Sequence, residues 1–450
     1  MGILRKFELP IFFIIFAAIL WLGQPSGDKP HAWQGDDLRY ISYAVSLHKH
    51  GVFGLSSRDT SIAPEPGNAN APFYPALITG VMALDPSFAE SMVCTIEKNE
   101  GPGCEEHFRT FFIVQMAFAL LCLFLIYLTA RQFSRSHLTG WIAAFLAAAS
   151  GVFSEFSNAF MTEILILPAF CALLLFCQIF YQDGRLRWIG AIALMLAVLT
   201  LIRPSYLYLF YGFAAFLVVT ATINRTKSSW LRLGVLVVTF IMIVSPWAIR
   251  NKTNFDSFTL TSGGYAEAIL VQRINYNQMS WPEVGVAMLY WLPDFGDSLA
   301  KKVFPTHLHD KLGWNENSYY GQGYGPRIEV LSKELGGSDK ILGHLIKEEV
   351  LTPKHIAVSV PLALRGTFIA KYWGLVGFIA FIALLIQTLR QKDYTILIIS
   401  LPLFYMVAFH AGLSVSIPRY NLPLVTIYAL SMAYYINIYG QKIVTKIRTQ

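Results

Sequence analysis

Two adjacent carboxylates, Asp36 and Asp37, stand just past the first hydrophobic segment and open the run Gly35-Asp-Asp-Leu-Arg-Tyr-Ile-Ser-Tyr-Ala44. Carboxylates at a membrane surface are costly to keep there without a task. Wound into a helix, Asp36, Tyr40, Ala44 and Leu47 share one stripe, at spacings of four and three. The small Ala44 lets that stripe approach other helices closely, while the carboxylates stay at its polar end. The chemistry open to such a pair is proton transfer. Other ionisable groups also mark the ends of apolar runs. They are Glu163 in Asn158-Ala-Phe-Met-Thr-Glu163, Arg203 before Pro204, Arg250 in Ser245-Pro-Trp-Ala-Ile-Arg-Asn251, and Arg419 before Tyr420. The planar, bidentate guanidinium is suited to phosphate. Each group alone has a plainer reading. Asp36 or Thr162-Glu163 can simply open a helix, and each arginine can snorkel or partner a helix carboxyl end. Taken together, they suit a substrate with a charged head and a greasy tail.

The elements that must position these groups are membrane helices. The chain has 450 residues, 55% of them hydrophobic and 14% charged, with a mean hydropathy of +0.49. A soluble domain carries roughly 25% charged residues, so this is an integral membrane protein. The net charge of +7 comes largely from short basic clusters beside apolar runs, which is a topology signal. No basic stripe with interleaved aromatics and no zinc-finger spacing points to nucleic acid. The first apolar run follows Met1-Gly-Ile-Leu-Arg-Lys6 and lacks a small-residue cleavage site, so it reads as an uncleaved anchor.

Helix-spanning runs are recognised at roughly 20 residues, fewer where snorkelling groups flank them. By that measure about ten spans are expected. They are Leu9–Gly23, Thr110–Ala130, Leu138–Phe153, Thr162–Tyr181, Trp188–Ile202, Tyr206–Thr222, Leu231–Trp247, Tyr372–Leu389, Tyr394–Leu413 and Leu422–Tyr439. The expected fold is therefore an all-α, polytopic membrane domain covering residues 1–450. Arg5-Lys6, Arg131 with Arg135, Arg185 with Arg187, Arg225 to Arg232, Arg390 with Lys392, and Lys442, Lys446 and Arg448 all fall on one side. The positive-inside rule makes that side, and both termini, cytoplasmic. Two large loops then face out: residues 24–109, with the acidic motif, and residues 250–371. Ala71–Leu84 is apolar but short, and as a span it would break the charge pattern; it is expected to be interfacial or re-entrant. In the second loop, Val284–Leu292 is a short apolar piece and Lys354–Thr367 a surface helix.

Cys122, Cys171 and Cys177 lie inside apolar runs and read as inert small hydrophobes. Cys94 and Cys104 flank a polar segment whose Gly and Pro let the chain fold back. In an oxidising compartment they form a disulfide; in a reducing one they stay two free loop thiols.

At these residues the chain resembles the GT-C superfamily of membrane glycosyltransferases. The match is to the bacterial branch related to dolichyl-phosphate-mannose protein mannosyltransferases and the lipid A aminoarabinose transferase. Asp36, Asp37, Tyr40 and Ala44 fit the pattern acidic-acidic-x-x-Tyr-x-x-x-Ala without a gap. Ala71-Pro-Phe-Tyr-Pro75, Thr162-Glu163, the turn from Thr200 to Pro204, the exit from Pro246 to Asn251, and Arg419, Tyr420 and Pro423 follow in the family's order. There are departures: the family's second acidic residue is more often Glu, and residues 250–371 match weakly beyond their ends.

The resemblance implies a hexosyl- or pentosyltransferase of the cell (inner) membrane. It would move a sugar from a polyprenyl-phosphate-linked donor to an outer-face acceptor, with inversion. The acceptor would be a lipid-linked sugar, a polysaccharide or a protein. Of the catalytic pair Asp36 and Asp37, either can be the base and Asp36 is the candidate; Asp37 or Glu163 would orient the acceptor or hold Asp36 in place, with Tyr40 beside them. Arg250, Arg419, Arg203 and Arg58 are expected to hold the donor phosphate. No cofactor is required, although a divalent metal can fit near Asp36 and Glu163. His307 and His309 form a lone His-x-His without a carboxylate motif, which is not a zinc set. Two other readings compete. An O-antigen ligase or polymerase would lean on basic and histidine residues of the late loop. A transporter would place its charges near the bilayer midplane, in repeated halves.

Overall fold

The computed structural model describes residues 2–23, 35–98, 104–261, 264–323, 326–337, 340–350 and 352–448. Residues 24–34 of the first loop and 99–103 between the loop cysteines lie outside the described residues, as do the side chains of Arg5, Lys6, Lys446 and Arg448. The chain forms two compact units: Met1–Ser262 with Ala433–Gln450, and Gly263–Met432. Among the described residues there is helix and irregular chain but no strand.

The first unit contains α1 (Gly2–Leu22), α2 (Gly35–His50), α3 (Phe73–Leu84), α4 (Pro86–Lys98), α5 (Arg109–Ser134), α6 (His137–Ala148) and α7 (Val152–Phe156). It continues with α8 (Glu163–Asp183), α9 (Leu186–Ile202), α10 (Tyr206–Asn224) and α11 (Lys227–Phe255). Its centre is α8, whose run from Glu163 to Leu175 is buried on every face. A helix apolar all round belongs inside a bundle, and α5 and α9 pack on either side of it. Side-chain caps and left-handed residues fix the turns. Ser136 accepts from the Thr139 amide, Gly184 turns at φ 65°, and Thr226 accepts from the Ser229 amide.

The second unit contains α12 (Gly264–Asn275), α13 (Trp281–Tyr290), α14 (Gly296–Val303), α15 (Tyr319–Gly323), α16 (Pro326–Leu335), α17 (Ile341–Leu345), α18 (Pro353–Thr367), α19 (Tyr372–Arg390) and α20 (Thr395–Leu413). A 3-10 turn at Pro418–Leu424 leads into α21 (Val425–Arg448). Its core joins Tyr276, Val286, Trp291, Tyr319, Val358 and Leu362. Arg273 is fully buried and donates to the Ala411 and His355 carbonyls, to Ser359 Oγ at 2.8 Å and to Asn277 Oδ1 at 3.2 Å, tying α12 to α18 and α20. Burial lowers its pKa to about 9. The expected pieces Val284–Leu292 and Lys354–Thr367 appear as α13 and α18.

Among the described residues, seven helices are long and apolar enough to cross a membrane: α5, α8, α10, α11, α19, α20 and Pro418–Ile443. The other three expected spans are also helical. α6, with 12 residues, and α9, with 17, are shorter, while α1 runs 21 residues with its apolar part at Glu8–Leu22. At 1.5 Å per residue, α6 reaches only about 18 Å against a hydrocarbon core of about 30 Å. The run Leu138–Phe153 stops early because Gly151, at φ 78°, breaks it between α6 and α7.

In the first loop, α2 packs on α3 and α4, and a disulfide joins Cys94 of α4 to Cys104. The bridge spans a sequence separation of 10. Closing a loop of that size removes about 2–3 kcal/mol of unfolded-chain entropy. Cys94→Ser is therefore expected to lower the thermal midpoint of the purified protein, and reductant to lower that of wild type alone. Equal midpoints with and without reductant would count against the bridge.

Candidate active site

The acidic motif opens α2, and its two carboxylates have different environments. Successive helical residues point about 100° apart, so Asp36 is exposed while Asp37 is 1% exposed and faces the bundle. One turn on, Tyr40 hydrogen-bonds to Thr162 and packs edge-on against Tyr74, with centroids 5.1 Å apart. Burial pushes the Tyr40 phenol up to about 12, with the nearby Arg203 charge pulling it down and Asp36 and Glu163 pushing it up. Burial likewise raises Tyr74, and Tyr40, Asp37 and Glu163 add to the effect. Both phenols therefore stay neutral and serve as donors.

Tyr74 fixes the opposite wall. Its hydroxyl donates to Gln115 Oε1 at 3.1 Å and reaches the Ala159 carbonyl at 3.4 Å. Gln115 Nε2 donates to the Ser157 and Ala159 carbonyls, each at 3.1 Å. This pins the turn that presents Thr162 and Glu163 at the start of α8. Pro204 restricts the residue before it, so α9 ends and Arg203 is extended at φ −146°. Arg203 Nη2 donates to Thr162 Oγ1 at 2.7 Å and to Glu163 Oε1 at 2.9 Å. The Thr162 hydroxyl donates to Glu163 Oε2 at 3.4 Å. The Glu163 side chain is 2% exposed and that of Arg203 19%.

The structure thus brings Asp36, Asp37, Tyr40, Glu163 and Arg203 into one electrostatic neighbourhood of the first unit. Tyr74 and Gln115 belong to it as well, though the sequence reading did not single them out. A glutamine inside the apolar run Thr110–Ala130 was the available signal, since amides in a span need partners.

The other expected phosphate ligands are placed differently. Arg250 is engaged in holding the first loop. Its Nη1 donates to the Gly67 carbonyl at 2.8 Å and Asn251 Oδ1 at 2.9 Å, and its Nη2 to the Phe53 carbonyl at 2.9 Å. Trp247, Phe53 and Phe255 surround it, with the Trp247 ring centroid 4.9 Å away. Lysine cannot reproduce two directed guanidinium contacts. Arg250→Lys should therefore expose residues 54–66 to proteolysis about tenfold faster, by the roughly 1.4 kcal/mol expected for one lost hydrogen bond. Unchanged cleavage would contradict the clamp. Arg58 is exposed on the same loop. Arg419 lies in the second unit, its guanidinium 5.6 Å from the Tyr420 ring centroid.

Among the described residues the acidic cluster offers no ligand set for a divalent cation. Glu163 has Arg203 on one oxygen and the Thr162 hydroxyl on the other. Among the described residues no three His, Cys, Asp or Glu side chains converge. His307 is exposed and His309 buried, with no carboxylate set joining them.

Comparison with known proteins bears on the fold. Residues 105–249 match the family model described as dolichyl-phosphate-mannose-protein mannosyltransferase. ArnT from Cupriavidus metallidurans, solved bound to undecaprenyl phosphate, superposes with TM-score 0.53 at 13% identity, covering 98% of this chain and 63% of that one. Archaeal oligosaccharyltransferase AglB from Archaeoglobus fulgidus, solved with an inhibitory peptide and a dolichol-phosphate, gives TM-score 0.55 at 12% identity, covering 99% of this chain and 52% of that one. The likeness to both is one of fold. No curated protein sequence matches it. It spans about three-fifths of the length of ArnT and half that of AglB. The matched segment 105–249 contains Gln115, Glu163 and Arg203 but ends one residue before Arg250.

Proposed function

We propose that the chain moves a hexose or pentose from a polyprenyl-phosphate-linked donor to an acceptor hydroxyl on the outer face of the cell membrane, with inversion. The observation that carries this is the asymmetry of the acidic pair. One carboxylate is open to a substrate, and the other is buried in a network with Tyr40, Tyr74 and the Glu163–Arg203 pair. The lipid phosphates bound by ArnT and AglB support a polyprenyl-phosphate donor for the same fold.

In this reading Asp36 accepts the acceptor's proton as its oxygen attacks the anomeric carbon from the face opposite the phosphate. Asp37 holds the start of α2 from the buried side. Glu163, locked by Arg203, and the neutral Tyr40 hydroxyl orient the acceptor. The departing lipid phosphate gains charge and needs cations. Arg203 supplies one beside the cluster, Arg58 and Arg419 are further proposed contacts, and Arg250 acts through the loop it clamps. The positive-inside pattern supports an acidic motif outside and both termini in the cytoplasm.

The test supplies the purified protein in membranes with radiolabelled polyprenyl-phosphate hexoses and pentoses. Envelope glycans and glycoproteins are compared by mass spectrometry with and without the chain. Label leaving one lipid donor for a defined envelope product supports the reading. Label moving only from a nucleotide sugar, never from a lipid, would overturn it.

A further inference from the structure

A second polar cluster lies at the other end of α5. Tyr127 is twelve residues beyond Gln115, about 18 Å along the helix, so the cluster is remote from the acidic motif. Here α1 inserts a carboxylate against α5 and α6. Glu8 Oε1 accepts from the Tyr127 hydroxyl at 2.6 Å, lies 2.7 Å from His137 Nδ1, and accepts from Trp141 Nε1 at 3.3 Å. A cavity of about 240 Å³ opens beside it, with Leu9, Phe12 and Phe124 as apolar walls and Glu8, Arg131 and His137 as the polar rim. That volume exceeds one water's share of roughly 30 Å³ several-fold.

We propose that this cavity binds the headgroup of a phospholipid bearing a primary amine, the phosphoethanolamine class. Its rim carries both charges such a zwitterion needs. A carboxylate has about four lone-pair sites, so Glu8 can take an ammonium N–H besides its three donors. Arg131 is exposed at the rim and suits a phosphate. His137 is the first residue of α6, whose amino end, capped by Ser136, adds positive potential on the same side. A quaternary ammonium has no N–H for Glu8, and a glycerol headgroup brings hydroxyls but no cation to pair with the carboxylate. The flank favours a lipid over a soluble ligand: Leu9 is 53% and Leu138 57% exposed, on apolar helices.

The test is native mass spectrometry of the full chain released from nanodiscs with equal phosphatidylethanolamine, phosphatidylcholine and phosphatidylglycerol. The wild-type protein should retain phosphatidylethanolamine at least tenfold over phosphatidylcholine. Glu8→Gln should cut that preference about tenfold, Arg131→Gln should lower retention of both lipids about tenfold while keeping the preference, and soluble phosphoethanolamine at matching concentration should not displace the lipid. Equal retention of the amine and choline lipids by wild type, which needs no variant to fold, would overturn the proposal. An unchanged preference in Glu8→Gln, or displacement by the soluble headgroup, would also overturn it. None of these readouts depends on sugar transfer.

Discussion

Asp36→Asn is expected to lower kcat for sugar transfer by about 10²–10⁴-fold, the range a positioned general base supplies, while the KM for the lipid donor stays nearly the same. The side chain is exposed, so the amide fits without disturbing packing. A surface change of this kind shifts stability by no more than about 0.5 kcal/mol. The companion Asp37→Asn is expected to behave differently. Asp37 is 1% exposed and its charge acts on Tyr74, so the variant should lose stability together with activity. Thermal unfolding measured beside single-turnover transfer separates the two. A stable, inactive Asp36→Asn fits the base assignment. An active Asp36→Asn with a stable, inactive Asp37→Asn would exchange the roles.

The second large effect belongs to Arg203→Met. It leaves the Glu163 carboxylate, 2% exposed, without its cation. Breaking a buried ion pair from one side costs about 3–5 kcal/mol, and the partial exposure of Arg203 reduces this to about 2–4 kcal/mol. The expected result is a protein that unfolds at a clearly lower temperature in detergent. Glu163→Gln in the same chain removes the stranded charge, so the double variant should recover most of the lost stability and none of the activity. Recovery of both would make the pair a structural tie alone. A single variant as stable as wild type would mean that the pair does not hold α8 to the end of α9.

The helical content was legible because continuous apolar runs leave the backbone no other way to satisfy its hydrogen bonds in lipid. All ten expected runs are mainly helical, with Leu138–Phe153 divided between α6 and α7, and the start of α2 is where the acidic motif placed it. The length of each run was less legible. Gly151 breaks one run through its backbone angle, which a composition window does not register. Asp36, Asp37, Tyr40, Glu163 and Arg203 could be chosen from the sequence because charges at span ends are conspicuous. What each side chain touches could not be read. Arg250 is expected to hold phosphate, and no sequence pattern announces that its guanidinium also donates to two backbone carbonyls of the first loop. The second loop was also opaque. Its polar composition hides a core around Tyr276 and Trp291 and the buried Arg273, because partners for such groups come from residues far apart in sequence.

Photo-crosslinking tests the location of the chemistry most directly. A polyprenyl phosphate carrying a diazirine next to the phosphate is irradiated on the protein in native membranes, and the labelled peptides are sequenced. Label concentrated at the start of α2, the 159–163 turn or Arg203–Tyr206, and competed away by unlabelled lipid phosphate, is the predicted result. Competable label confined to peptides around Arg131 and His137, with none at the acidic pair, would contradict the account.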